Sequence, residues 1–273
     1  MIPAAFEYVR AGSVDEAVAA LVADDDAKLL AGGHSLLPAM RLRVARPSTL
    51  IDIGRIKGLS AIREDGDEIV IGPLARHHDV ANSDLLQRSC PIVAFAAAQI
   101  GDPQVRHVGT IGGSVAHGDP AGDMPAVLLA LDATFIATGP GGATRAIAAS
   151  SFFTGLFETA LDRTEVLTEI RVPKATDGWS FLKFNRRAQD WALVGISAVR
   201  ADAGMRIALT NMGLTPLRAT AVEAALAEGA DVTTASLHAD EGTAPPDDAF
   251  ASSEYRRAVV KVLTQRALEE AMA

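Results

Sequence analysis

The 273-residue chain contains one cysteine, Cys90. A single thiol excludes an intrachain disulfide and any cysteine-ligated iron–sulfur cluster held by this chain alone. Basic residues are also scarce. Lys and Arg number 25 against 34 Asp and Glu, for a formal charge of −9. Nucleic acid is therefore not an expected partner, because phosphate backbones are gripped by clustered basic side chains. No apolar run approaches the roughly 20 residues that span a bilayer. The stretch Met1-Ile2-Pro3-Ala4-Ala5-Phe6-Glu7 has no basic n-region and no apolar h-region, so no secretory signal is expected. GxGxxG and GxxxxGK[ST] do not occur, which removes the Rossmann and P-loop fingerprints. HExxH and paired Cys/His spacings are missing too, and Ser and His are too scattered to assign a nucleophile–base pair. Neither a metal ligand nor a catalytic side chain is expected. What is left is a cytoplasmic chain with 49% apolar residues to build a core.

Against these absences stand two glycine turns, Ala31-Gly32-Gly33-His34-Ser35 and Thr110-Ile111-Gly112-Gly113-Ser114. Each follows a short candidate strand, Lys28–Leu30 or Arg106–Val108. Glycine lets a backbone bend sharply and approach a ligand with no Cβ in the way. Consecutive N–H groups in such a turn form a concave anion site. Two of them suit the two phosphates of a dinucleotide, with Ser35, Thr110 and Ser114 adding hydroxyl donors. The plain alternative is a pair of ordinary strand-to-helix turns with serine caps.

The flanking pattern predicts the rest of the organisation. Ser13 and Glu16 form a capping box for a helix whose stripe is Val14, Ala17, Val18, Leu21 and Val22. Leu50–Ile53 reads as a strand, and Asp65-Gly66 joins Ala61–Arg63 to Glu68–Ile71 as a hairpin. Helices are expected at Pro91–Ile100 and Met124–Leu131, and strands at Phe135–Thr138, Thr144–Ile147 and Val166–Val172. Lys174–Gly178 reads as a linker. Beyond it come strands at Ser180–Asn185, Leu193–Arg200 and Met205–Thr210, then helices at Ala219–Glu228 and Ser253–Met272. Asp123 opens a helix and is expected to cap it. Lys183 sits in a strand and can point to solvent by alternation. Trp191 as an isolated tryptophan is expected to be half-buried in a core.

The chain resembles the FAD-binding medium subunit of the molybdenum hydroxylases, and within them the carbon monoxide dehydrogenase type. The resemblance rests on Ala31–Ser35 with Leu36-Leu37-Pro38 behind it, and on Arg106-His107-Val108-Gly109 leading into Thr110–Ser114. It also rests on Asp119-Pro120-Ala121-Gly122-Asp123, Val166–Pro173 and Lys183-Phe184-Asn185-Arg186-Arg187. It implies an α+β fold. Residues 1–175 form a two-lobed FAD-binding domain of the vanillyl-alcohol-oxidase (PCMH) type, with lobes at about 1–55 and 56–175. Residues 178–273 form a smaller C-terminal α+β domain with a three-stranded sheet.

The resemblance also implies non-covalent FAD extended between the lobes, in contact with Leu30, Ala31, Gly32, Gly33, His34, Ser35, Leu36, Gly101, Thr110, Ile111, Gly112, Gly113, Ser114, Asp123, Leu167, Lys183 and Trp191. In it, Asp123 lies on the ribose and adenine side, while Lys183 and Trp191 lie by the isoalloxazine. Many family members carry Asp or Ala in place of Ser114 and Asn in place of His107. The implied function is electron transfer from a small [2Fe–2S] subunit through FAD to quinone or dioxygen. Substrate is oxidised on a large molybdenum-cofactor subunit, within a dimer of heterotrimers that meets membranes only peripherally. Two other readings stand beside it: a self-contained flavin oxidase or reductase with its own substrate pocket, and a cofactor-free scaffold.

Overall fold

The computed structural model describes residues 2–273. The chain opens with β1 (Glu7–Arg10), α1 (Val14–Ala23), β2 (Lys28–Leu30), α2 (Leu36–Arg41) and β3 (Thr49–Asp52). β3 is the central strand and pairs in parallel with both β1 and β2. Ser13 caps α1, its Oγ accepting from the Glu16 N–H at 3.1 Å. Glu16 reaches back to the Gly12 N–H at 2.7 Å. The reciprocal half of the predicted box is therefore displaced by one residue. Ala17, Val18 and Leu21 are buried, but Val22 is 52% exposed, at the edge of the helical arc.

A second sheet is antiparallel, in the order β4 (Ile62–Asp65), β5 (Glu68–Ile71), β10 (Val166–Pro173), β6 (Thr134–Thr138), β7 (Thr144–Ala148). Between β5 and β6 runs a helical stretch: α3 (His77–Ala81), α4 (Asp84–Ser89), α5 (Pro91–Ala98), α6 (Pro103–Arg106), α7 (Ile111–His117) and α8 (Asp123–Ala130). After β7 come α9 (Ala149–Phe152) and a small hairpin, β8 (Phe153–Gly155) with β9 (Glu158–Thr159). The strand expected at Arg106–Val108 does not form. Asp102 caps α6, accepting from the Val105 N–H at 2.9 Å, and Pro103 occupies its first turn. This Asp-Pro start signal outweighs the β-branched Val105 and Val108.

The remainder is an antiparallel sheet, β11 (Trp179–Phe184), β12 (Val194–Ala201), β13 (Gly204–Thr210) and β14 (Leu217–Arg218), with α10 (Thr220–Ala227), α11 (Val232–Ser236) and α12 (Ser253–Met272). It has four strands rather than the expected three. β14 is a two-residue strand whose Leu217-Arg218 carries no apolar run to announce it.

Two apolar layers sandwich this last sheet. Val194, Ile196, Ala198, Ile207 and Leu209 join Val260, Leu263, Ala267 and Leu268 of α12 in one cluster. The alternate residues Phe181, Val199 and Ala208 join the core that holds α5, α8 and the five-stranded sheet. α8 is buried at every position and touches both α5 and strands β12 and β13. A helix that is apolar all round has no solvent face to keep. Cys90 is fully buried at the start of α5, where burial pushes its thiol up to about 12. That makes it inert as a nucleophile.

Because α8 packs against both α5 and strands β12 and β13, the halves before and after residue 178 are expected to unfold together. Urea unfolding followed by far-ultraviolet circular dichroism and by Trp fluorescence should give coincident curves. Leu128→Ala, a cavity at a fully buried α8 position, should shift both by roughly 2–5 kcal/mol. Two separated transitions would show that the halves melt independently.

Candidate functional site

The two glycine turns come together in the fold, back to back. A Cβ on Gly32 would lie 2.3 Å from the Val108 carbonyl oxygen and 2.9 Å from Gly109 Cα. Only glycine permits that approach. A Cβ on Gly113 would lie 4.0 Å from Ala31 Cβ. Similar letters nevertheless give the two turns different backbones.

The first is an open loop after β2. Leu30 O accepts from Ile53 N–H at 3.0 Å, which anchors its start. Gly33 adopts φ +76°, a left-handed conformation that disfavours any side chain. Leu37 and Ala39 donate back to the Gly33 and Ser35 carbonyls and begin α2. Among the described residues, the N–H groups of Gly32, Gly33, His34, Ser35 and Leu36 have no protein acceptor. Ser35 stands at the N-cap of α2, but its hydroxyl makes no capping bond, contrary to expectation, and stays free.

The second turn is the first turn of α7. Thr110 is its N-cap, and Thr110 Oγ1 accepts from Gly113 N–H at 3.1 Å. Ile111 N–H donates to Ala75 O at 3.0 Å, Gly112 N–H to Pro73 O at 2.9 Å and Ser114 N–H to Thr110 O at 3.1 Å. These amides are already bonded, so the expectation of two equivalent N–H nests is corrected: only the first is one. A Cβ on Gly112 would lie 2.2 Å from Pro73 Cβ, so this glycine serves packing. What the second turn offers a ligand is hydroxyl protons, from Thr110 and Ser114.

Two residues given no role at the cofactor by sequence reasoning hold this region in place. His77 is buried, its N–H donating to Gly109 O at 3.0 Å, with its ring against Gly109. Burial, then the nearby His34 and Arg106, hold His77 down at about 4, so it is neutral at ordinary pH. Arg106 donates to Ile100 O at 2.9 Å and Gly101 O at 3.2 Å, fixing Gly101 at φ +49°. His77 carries no motif signal, and Arg106 enters the sequence reading only within Arg106-His107-Val108-Gly109. His34 is exposed, and Leu167 is buried in the core with Ile111 and Val115, at a bulge in β10.

Asp123 and Lys183 meet. Asp123 is the first residue of α8, and the N-cap is Gly122, so the capping role expected of Asp123 is not observed. Strand alternation puts Lys183 on the same face of β11 as Trp179 and Phe181, and that face is covered by α5 and α8. It therefore cannot point to solvent. Lys183 Nζ donates to Asp123 Oδ2 at 2.8 Å and to Gln99 O at 3.3 Å, with both side chains almost fully buried. Burial raises the Asp123 carboxyl above its usual range, opposed by Lys183. Asp123 Oδ1 is buried with no partner. Sequence reasoning sets these two residues at opposite ends of the cofactor; a 2.8 Å contact puts them at one place.

Trp191 is 68% exposed, which corrects its expected place in a core. It lies in the loop between β11 and β12. The loop's base is fixed by Leu193 N–H to Phe184 O at 2.7 Å, Asn211 Nδ2 to Ala192 O at 2.8 Å and Arg256 to Leu193 O.

Consecutive free amides fit a pyrophosphate, and an unpartnered buried carboxylate oxygen fits a hydroxyl. A dinucleotide carries both groups.

Comparison with known proteins gives the family. Residues 4–175 match the family described as "FAD binding domain in molybdopterin dehydrogenase", and residues 179–271 match "CO dehydrogenase flavoprotein C-terminal domain". The chain belongs to the FAD-binding medium-subunit family of the molybdenum hydroxylases. It is 43% identical to the carbon monoxide dehydrogenase medium chain of Hydrogenophaga pseudoflava, covering 100% of this chain and 99% of that one. It is 38% identical to the glyceraldehyde dehydrogenase medium chain of Sulfolobus acidocaldarius, covering 99% of each. The structure of carbon monoxide dehydrogenase from Hydrogenophaga pseudoflava superposes with TM-score 0.95 at 45% identity, over 100% of this chain and 99% of that chain. Quinoline 2-oxidoreductase from Pseudomonas putida 86 gives TM-score 0.94 at 30% identity, with the same coverage. The cofactor is accordingly FAD, and the chain is the flavoprotein component of an oxidoreductase.

The two glycine pairs differ in what a methyl group does. Gly33→Ala should leave circular dichroism unchanged and lower FAD content, because the φ +76° turn costs an L-residue roughly 1–2 kcal/mol and reorients the free amides. Gly112→Ala should instead lower the melting temperature, by the equivalent of about 1–3 kcal/mol or more, through overpacking on Pro73. Equal FAD loss with an intact fold in both variants would contradict the division.

Proposed function

We propose that this chain is the electron-transfer subunit of a carbon monoxide dehydrogenase-like complex in the cytoplasm. It receives electrons from a small [2Fe–2S] subunit and delivers them to quinone or dioxygen. Substrate oxidation takes place on a large molybdenum-cofactor subunit, in a dimer of heterotrimers. The observation that carries the reading is the run of free amides at Gly32–Leu36, on a fold matched end to end by carbon monoxide dehydrogenase medium chains. The relatives named as medium chains also include a glyceraldehyde dehydrogenase, so the substrate of the complex follows the large subunit and not this chain.

When bound, FAD supplies exchange between one- and two-electron carriers. The chain's residues do the holding. The Gly32–Leu36 amides and the Thr110 and Ser114 hydroxyls bind the pyrophosphate. Asp123 accepts from a sugar hydroxyl. Trp191, exposed beside the loop base, covers one face of the isoalloxazine and limits access of dioxygen. Among the described residues no helix is long and apolar enough to cross a membrane, and contact with a quinone-bearing surface is peripheral in this reading.

The test is purification of the protein with the chains that accompany it. A flavin spectrum is expected, with iron and molybdenum in the accompanying chains. Acid precipitation should leave the flavin in the supernatant as FAD, because none of the binding contacts is covalent. A yellow pellet would overturn non-covalent binding. Flavin without iron or molybdenum partners would favour a self-contained flavin enzyme.

A further inference from the structure

We propose that Lys183 is a positioning residue, not a flavin-tuning cation: it holds Asp123 ionised and turned so that Oδ1 accepts a hydrogen bond from a sugar hydroxyl of FAD. The inference rests on the FAD reading and deepens it.

The geometry gives Lys183 little freedom to do anything else. Two of its three donors are directed at Asp123 Oδ2, 2.8 Å away, and Gln99 O, 3.3 Å away. Its side chain is 4% exposed and that of Asp123 6%. A buried ammonium matched by a carboxylate presents a dipole and no net charge to a ring nearby, so its electrostatic pull on a reduced flavin is much weakened. Asp123 by contrast has an open valence. Oδ2 is bonded, and Oδ1 is buried without a partner. A buried acceptor left unpaired is costly and calls for a donor. A carboxylate accepts from a hydroxyl more strongly than a neutral acid does.

The charged groups facing Asp123 are Lys183 on β11 and Asp119 in the loop before α8, while α5 presents the Gln99 carbonyl. Asp119 and burial both disfavour the ionised form, so Lys183 is what opposes them. The lysine belongs to the C-terminal sheet and the aspartate to α8. Retention of FAD then depends on the C-terminal sheet, although the amides that bind the phosphates lie wholly in the first part of the chain.

The experiment uses the purified protein with its accompanying chains, stripped of flavin and titrated with FAD between about pH 6 and pH 9, where an Asp perturbed upward can titrate. Wild-type affinity should be flat across this range. Lys183→Met should bind FAD about tenfold or more weakly at the acid end, the scale of one lost charge-assisted hydrogen bond. The loss should shrink as pH rises. Without the lysine the Asp123 pKa rises further, so the ionised acceptor forms only above it. Asp123→Asn should be weak at every pH. Asp123→Asn/Lys183→Met, which buries no unpaired charge, should be no weaker than Asp123→Asn, and Lys183→Arg should restore the flat profile. At the acid end, where Asp123 in Lys183→Met is protonated and the site is again neutral, the midpoint potential of the bound flavin should match that of wild type. A shifted potential with unchanged affinity would overturn the proposal. So would additive effects in the double variant, a pH-independent loss in Lys183→Met, or wild-type affinity in Asp123→Asn. Wild-type protein that takes up no FAD at all would overturn the cofactor reading itself and the assignment with it.

Discussion

Gly32 rests on the Val108 carbonyl at a distance that leaves no room for a Cβ, and the cofactor cradle depends on that contact. Fixed against Val108–Gly109, the turn runs from the end of β2 into the start of α2. Its amides precede the first helical hydrogen bonds and have no internal acceptors. The backing is itself braced: His77 donates its N–H to Gly109 O and packs its ring on Gly109. With its pKa held at about 4 by burial, the brace is neutral at ordinary pH. It gives rigidity without adding a charge beside the phosphates. Preorganised donors of this kind need no rearrangement on binding, which lowers the ordering cost of association.

The C-terminal sheet is attached to the rest by three kinds of contact, and their magnitudes rank them. Asp132 bridges to Arg206 at 3.0 Å and to Arg218 at 2.8 Å, but all three are partly exposed. Pairs of this sort contribute about 0–1 kcal/mol each. Phe181 and Val199, packed into the main core, contribute roughly 1.5–3 kcal/mol apiece by burial. The apolar seam therefore does most of the holding. The buried Lys183–Asp123 pair is different in kind. Its net gain over two apolar residues is small, yet removing one partner costs roughly 3–5 kcal/mol, because it strands a charge. Such a pair is a poor glue and a stringent aligner: it tolerates one arrangement of β11 against α8.

Most of the fold was legible in the sequence. Asp65-Gly66 forms the predicted hairpin, and Pro91 and Ser252 begin helices where expected. These features are local, written in turn and cap residues. The failures are where local rules meet a tertiary choice. Arg106–Val108 looks like a strand, but Asp102-Pro103 starts a helix over Pro103–Arg106 and Val108 falls in the turn after it. The two glycine turns share a pattern and not a conformation, because Pro73 and Ala75 supply acceptors to one and nothing supplies them to the other. That difference lies in residues some 35–40 positions away in the chain and is invisible in the motif. The Lys183–Asp123 contact spans 60 residues. No spacing rule announces it, and the resemblance that singled out both residues set them apart rather than together. Two adjacent histidines such as His77 and His78 must point apart on a helix, but only the fold decides that His77 is the buried one and His78 the partly exposed one.

An anionic cofactor on a chain of charge −9 is a matter of range. At physiological salt, charges beyond about 8 Å are largely screened, so the acidic surface contributes little at the cradle. Hydrogen-bond donors act at contact distance and are not screened there. The five free N–H groups of Gly32–Leu36 are fixed partial charges that carry no net charge, and they leave the solubility of an acidic surface intact. Specificity follows from the same arrangement. A lysine cluster would attract any polyanion, whereas a rigid row of amides backed by Val108 accepts only a group that fits its curvature. In the proposed site, the carboxylate at Asp123 then acts as a counter-filter. It repels a bare phosphate and welcomes a neutral hydroxyl, so a ligand must present both groups at the right separation. On that proposal, amides alone would hold pyrophosphate, and amides with a buried carboxylate select a dinucleotide.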